Sequence, residues 1–136
     1  MRRFVLSLVT IGFCAAVPVA AQAADAFPTG RYTMIMTDTT SQLQRATLEF
    51  TKDNHYIITH QGHVLFMGMY ALDGNRITLT GGGDTPCLDA NGTPMPGVYT
   101  WYVKDTVLDF TQLDDRCNDR RDQAMIALFY PEGTAP

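Results

Sequence analysis

Basic residues are scarce in this chain. Of 136 residues, 10 are Lys or Arg and 14 are Asp or Glu, a formal net charge of −4. Phosphate binding needs a cationic surplus, so a general nucleic-acid binder is excluded. Serine is nearly absent: beyond residue 23 it occurs only as Ser41, with no Gly-x-Ser-x-Gly around it. That removes the nucleophile elbow of a serine hydrolase. Tryptophan occurs once, and histidine and cysteine three times each. Away from the N-terminus no apolar run approaches the roughly 20 residues of a membrane span. What is present suits a globular chain, with 46% hydrophobic and 18% charged residues, and the length allows one domain.

The first segment reads as an address. Arg2 and Arg3 precede an uncharged apolar run at 4–19, and Ala20-Ala21-Gln22-Ala23-Ala24-Asp25 follows. This basic, apolar, Ala-x-Ala order predicts a secretory signal peptide at 1–23, cleaved after Ala23. Cys14 follows Phe13 rather than a small residue, which argues against a lipidated cysteine. The mature domain is then 24–136, periplasmic or secreted, with no membrane span left. Cleavage leaves 113 residues, with 8 basic against 14 acidic, a formal charge of −6. A modest core is attainable at this size.

Two cysteines remain, Cys87 and Cys117. An even count in an exported chain predicts a disulfide. It closes a loop of about 30 residues, a constraint of roughly 3–4 kcal/mol in the chain-entropy model. Neither cysteine has a second Cys or His beside it at zinc-ligand spacing.

The mature chain divides into eight β-rich runs, at 30–37, 45–51, 55–60, 64–72, 76–80, 97–103, 106–113 and 124–130. Turn residues separate most of them: Lys52-Asp53-Asn54, Gln61-Gly62, Asp73-Gly74-Asn75 and Lys104-Asp105. Helix competes only for the eighth run, where Ile126 alone is β-branched. Regular short strands predict an all-β fold, a small eight-stranded antiparallel up-and-down barrel. A turn at Gln61-Gly62 sets His60 opposite His63, Ile58 opposite Leu65 and Tyr56 opposite Met67. A turn at Gly74-Asn75 sets Asp73 opposite Arg76, Ala71 opposite Ile77 and Met69 opposite Leu79. One face then gathers Tyr56, Ile58, Leu65, Met67, Met69, Ala71, Ile77 and Leu79, joined by Leu48 and Phe50, and becomes the interior. In the sixth and seventh runs Tyr99, Trp101 and Val103 face Phe110, Leu108 and Thr106, with Asp109 and Thr111 outside. Cys87 and Cys117 fall at the same end of that hairpin, so their bond ties two long connections across one mouth.

Several segments resemble small bacterial exported lipocalin-like (calycin-type) barrels. Gly30-Arg31-Tyr32 stands where lipocalins carry Gly-x-Trp, and Gly68-Met69-Tyr70 sits in the fourth run. Gly97-Val98-Tyr99-Thr100-Trp101 is followed by Asp114-Asp115-Arg116-Cys117-Asn118-Asp119-Arg120. The likeness covers 30–130. It implies that Tyr32 packs at the closed end with Arg120 across it. It also implies a small apolar pocket, with Tyr56, Leu65, Met67, Met69, Tyr99, Trp101 and Phe110 as its ligand-binding lining.

Reactive constellations are not evident, so no catalysis, cofactor or metal is expected. Bonded cysteines are not nucleophiles. Gly81-Gly82-Gly83 precedes neither a Lys nor a helix, so it reads as a loop rather than a phosphate cradle. His60 and His63 are cross-strand neighbours at a hairpin tip, His55 has the opposite parity, and two imidazoles make a weak metal site. Met34, Met36, Met67, Met69, Met95 and Met125 raise thioether copper chemistry, but filling core gaps is the expected use of Met. Asp114, Asp115, Asp119 and Asp122 alternate with Arg116, Arg120 and Arg121 without the Gly of a calcium loop. They read as a solvated, internally paired loop.

The function the lipocalin-like resemblance implies is an exported, non-catalytic protein that binds a small hydrophobic ligand. The alternative is a periplasmic protein-interaction module such as a hydrolase inhibitor, since some exported bacterial protease inhibitors resemble this plan and use an extended N-terminal segment, here 24–29. A drug-sized cavity favours the first, and a filled interior favours the second.

Overall fold

Alternating apolar and polar side chains suit strands, because a period of two sends one set to each face of a sheet. In the computed structural model, which describes residues 26–37, 42–83, 86–125 and 127–136, eight strands form in this way. They are β1 (Gly30–Thr37), β2 (Leu43–Phe50), β3 (His55–His60), β4 (His63–Asp73), β5 (Arg76–Gly82), β6 (Gly97–Lys104), β7 (Val107–Asp115) and β8 (Phe129–Pro131). Each pairs antiparallel with its sequence neighbour, and β1 against β8 closes the barrel. The signal sequence expected at 1–23 lies outside the described residues. Among the described residues no helix is long and apolar enough to cross a membrane.

The eighth run differs from expectation. Instead of a strand from residue 124, Arg120–Ala124 makes a five-residue π-helical turn, with the Met125 N–H donating to the Arg120 carbonyl at 3.0 Å. Among the described residues of this run, Phe129–Pro131 joins the sheet.

Two bulges decide which side chains face inward. His60 pairs with His63 as expected, but Thr59 pairs with Val64 and Ile58 with Phe66, so Leu65 is an extra residue. Beyond it the parity of β4 is the reverse of the expected one. Phe66 and Tyr70 are buried, while Met67 and Met69 are exposed and Leu65 is half-buried. Across β4–β5, Tyr70 faces Leu79 and Leu72 faces Ile77, in place of Met69 and Ala71. The inward Gly68 sits tight against β5: a Cβ there would lie 1.7 Å from the Thr80 carbonyl oxygen. The second bulge makes Leu113 the extra residue, since Tyr99 pairs with Gln112 and Val98 with Asp114.

The β6–β7 turn falls on Asp105-Thr106 rather than on Lys104-Asp105. Trp101 therefore faces Phe110 and Val103 faces Leu108, a shift of two that preserves the faces. Asp105 and Thr106 have φ of 50° and 70°. A β-branched residue is strained there. Thr106→Gly is expected to stabilise the protein by about 1 kcal/mol, seen as a higher urea midpoint at unchanged m-value.

Side chains fill the barrel axis. Met34, Leu48, Phe50, Tyr56, Ile58, Ile77, Leu79, Tyr99, Leu108 and Phe129 are fully buried. Phe110 stands edge-on to Phe129 at 5.4 Å and to Tyr99 at 6.4 Å, and Phe50 edge-on to Tyr70 at 5.3 Å. Eight strands enclose little more than the volume such residues need. Cys87 and Cys117 are bonded, with Cα atoms 5.3 Å apart. Replacing both with Ser is expected to cost roughly 2–5 kcal/mol. Thiol counting on the unfolded, unreduced chain should find none besides Cys14.

Candidate functional site

Two polar-to-aromatic assemblies stand out, one inside the barrel and one at its mouth. The inner one is made by the bulge at Leu113, which turns Asp115 inward opposite Gly97. Asp115 is 3% exposed and Arg120 fully buried. Arg120 Nε and Nη2 donate to the two carboxylate oxygens of Asp115, each at 2.8 Å. Nη1 donates to the Gly81 carbonyl at 2.9 Å and Nη2 to the Met95 carbonyl at 2.8 Å. One guanidinium thus clasps the end of β5, the long connection and β7. Gly97 makes room: a Cβ there would lie 2.4 Å from Asp115 Oδ2 and 2.8 Å from Arg120 Nε.

Two tyrosines complete this cluster. The Tyr99 hydroxyl donates to Asp115 Oδ2. Burial, and then that bond to a carboxylate, push the Tyr99 hydroxyl far above its ordinary pKa. The Tyr56 hydroxyl is buried without a hydrogen-bond partner, although it feels the Arg120 charge. Burial pushes its pKa up as well. Burial alone would raise the Asp115 carboxyl, but bonds from Arg120, Tyr99 and the Cys117 N–H outweigh it and hold it below the ordinary carboxylate range. A group with a depressed folded pKa stabilises the protein above its unfolded value, about pH 3.9 for Asp, and stops doing so as pH falls through the folded value. Acid unfolding below about pH 4 should therefore contain a step that Asp115→Asn lacks.

The cluster corrects one expectation. Asp115 and Arg120 belong to the core, not to a solvated loop, whereas Arg121 pairs with the exposed Asp122 as a surface pair. The hydrogen bonds of Arg120 go to Asp115, Gly81 and Met95, while the Tyr32 hydroxyl donates to the Pro28 carbonyl at 2.7 Å.

At the mouth the chain stoppers itself. Phe27, half-buried, lies 4.9 Å from Phe50 and 5.2 Å from Trp101, edge-on to both, and 5.5 Å from Tyr70. Trp101 is buried, and its Nε1 donates to the Gly74 carbonyl at 3.2 Å. Beside this stack an open cleft of about 540 Å³ is lined by Ala26, Pro28, Gly74, Asn75, Trp101, Tyr102 and Val103. Tyr102 and Val103 are exposed there.

Of the side chains expected to line a pocket, Tyr56, Tyr99, Trp101 and Phe110 point inward and touch one another or their neighbours. Leu65 packs at the edge of the core, and Met67 and Met69 lie on the outer wall. Phe27 and Asp115 were not legible as site residues. A lone Phe before Pro28 and a Gly97 facing an acidic residue were their faint signals.

Fold and site together define a closed, side-chain-filled β-barrel, compatible with a binding protein. No family model matches the chain, and neither a curated protein nor a solved structure matches it.

Proposed function

We propose that this chain is an exported, non-catalytic protein-interaction module of the hydrolase-inhibitor kind, distantly lipocalin-like. The filled interior carries the reading. Fully buried rings occupy the barrel axis, and Phe27 closes the mouth, so a small apolar ligand has to displace packed side chains to enter. The rim instead offers an open cleft with the exposed Tyr102 beside Trp101, and aromatic residues of this kind are enriched in protein interfaces. The Arg-Arg, apolar, Ala-x-Ala start and the Cys87–Cys117 bond support export. The Gly30-x-Tyr32 and Asp114 to Arg120 segments support the lipocalin-like kinship.

Native mass spectrometry of the purified protein tests this. The expected species is the bare oxidised polypeptide, which forms 1:1 complexes on mixing with an exported hydrolase that it inhibits. A small hydrophobic molecule retained in a 1:1 ratio overturns the reading in favour of a ligand carrier.

A further inference from the structure

Met67 and Met69 are 57% and 54% exposed, although methionine ordinarily fills gaps in cores. The bulge at Leu65 puts both on the outer wall of β4. His55 of β3 lies directly opposite Met69, and Ile57 opposite Met67. Residues so placed on one sheet face have Cβ atoms about 4.5–5.5 Å apart, and diagonal neighbours about 7–8 Å. His55, Met67 and Met69 line a single open cleft of about 370 Å³, with Thr51, Asp53 and Ile57 around them.

The imidazole is already oriented. Its Nδ1 lies 3.2 Å from Asp53 Oδ2. The His55 N–H donates to the Thr51 hydroxyl at 3.0 Å, and that hydroxyl donates to the His55 carbonyl at 3.1 Å. The Tyr70 hydroxyl donates to the Thr51 carbonyl at 2.6 Å, which ties the hairpin to β4. A carboxylate on one ring nitrogen fixes the tautomer and leaves Nε2 as the free donor to a metal.

We infer that His55 Nε2 and the thioether sulfurs of Met67 and Met69 form a surface site for Cu(I). Two thioethers and an imidazole are soft, uncharged donors, and that set selects Cu(I) over hard divalent ions. Asp53 supplies the outer-shell anion that orients His55. Among the described residues no three His, Cys, Asp or Glu gather, so selection rests on the sulfurs. The site lies on the outer wall and does not depend on the interaction-module reading.

The test is an anaerobic titration of the full chain with Cu(I) held by bicinchoninate, kept reduced by ascorbate so that the disulfide survives. Cys14→Ser removes the one thiol outside that bond. One Cu(I) per chain should transfer from the chelator, and NMR should show the Met67 and Met69 ε-methyls shifting together with the His55 ring. Asp53→Asn should weaken binding roughly 10–100-fold. Met67→Leu combined with Met69→Leu should abolish uptake while the melting temperature stays close to that of the parent, since both side chains are exposed. Failure of the parent chain to take one Cu(I), undiminished uptake by the double variant, or shifts confined to His60 and His63 each overturn the site.

Discussion

Arg120→Ala is expected to destabilise the barrel by about 3–5 kcal/mol, the usual result of removing one partner of a buried ion pair. That is a large part of the roughly 5–15 kcal/mol that holds a domain together. The loss has several sources. Asp115 stays buried with its charge uncompensated, and the carbonyls of Gly81 and Met95 lose their donor. Arg120→Lys should rescue little, because an ammonium cannot reproduce the two-point grip on Asp115. Arg120→Met together with Asp115→Leu should recover the part of the loss due to the uncompensated charge, but not the rest, because the Gly81 and Met95 carbonyls and the Tyr99 hydroxyl stay without partners. Urea unfolding of the three variants checks this. A cost under 1 kcal/mol for Arg120→Ala would place the guanidinium in solvent.

Trp101→Ala is expected to cost about 3–5 kcal/mol, the full price of deleting a large side chain from a packed site. Trp101 meets Phe27 edge-on, pairs with Phe110 across the strands and bonds the Gly74 carbonyl. Were it the lining of an open chamber, fewer contacts would be lost and the cost would fall distinctly. Phe27→Ala should also destabilise, and the double variant should cost less than the sum, because the two rings touch. Thermal melts of the two single variants and the double variant give the coupling directly.

The number, order and closure of the strands were legible, because turn residues and alternation mark them locally. β1 and β3 match their expected ranges residue for residue. The register of β4 was not. Leu65, Met67 and Met69 alternate with Phe66, Gly68 and Tyr70, so both parities are apolar or neutral, and only the bulge chooses between them. The same holds for Asp115. Its inward position comes from Leu113 being squeezed out of the ladder, and no local composition signals that. β6 and β7 fared better because Asp109 and Thr111 are polar against Leu108 and Phe110, and a slip of two residues left the faces intact. Phe27 was missed for a different reason. It lies outside any strand, and its burial depends on Phe50, Tyr70 and Trp101 converging from distant parts of the chain.

The emission of the single Trp reports whether the barrel is filled. Folded protein is titrated with a fatty acid and with a hydrophobic dye while Trp101 fluorescence is recorded. Emission should be blue-shifted from that of indole in water and should stay constant throughout, because Trp101 is packed between Phe27 and the barrel wall. A saturable change reaching one ligand per chain that persists in Tyr102→Ser, which alters the rim cleft Trp101 also lines, would show an open interior and contradict the account.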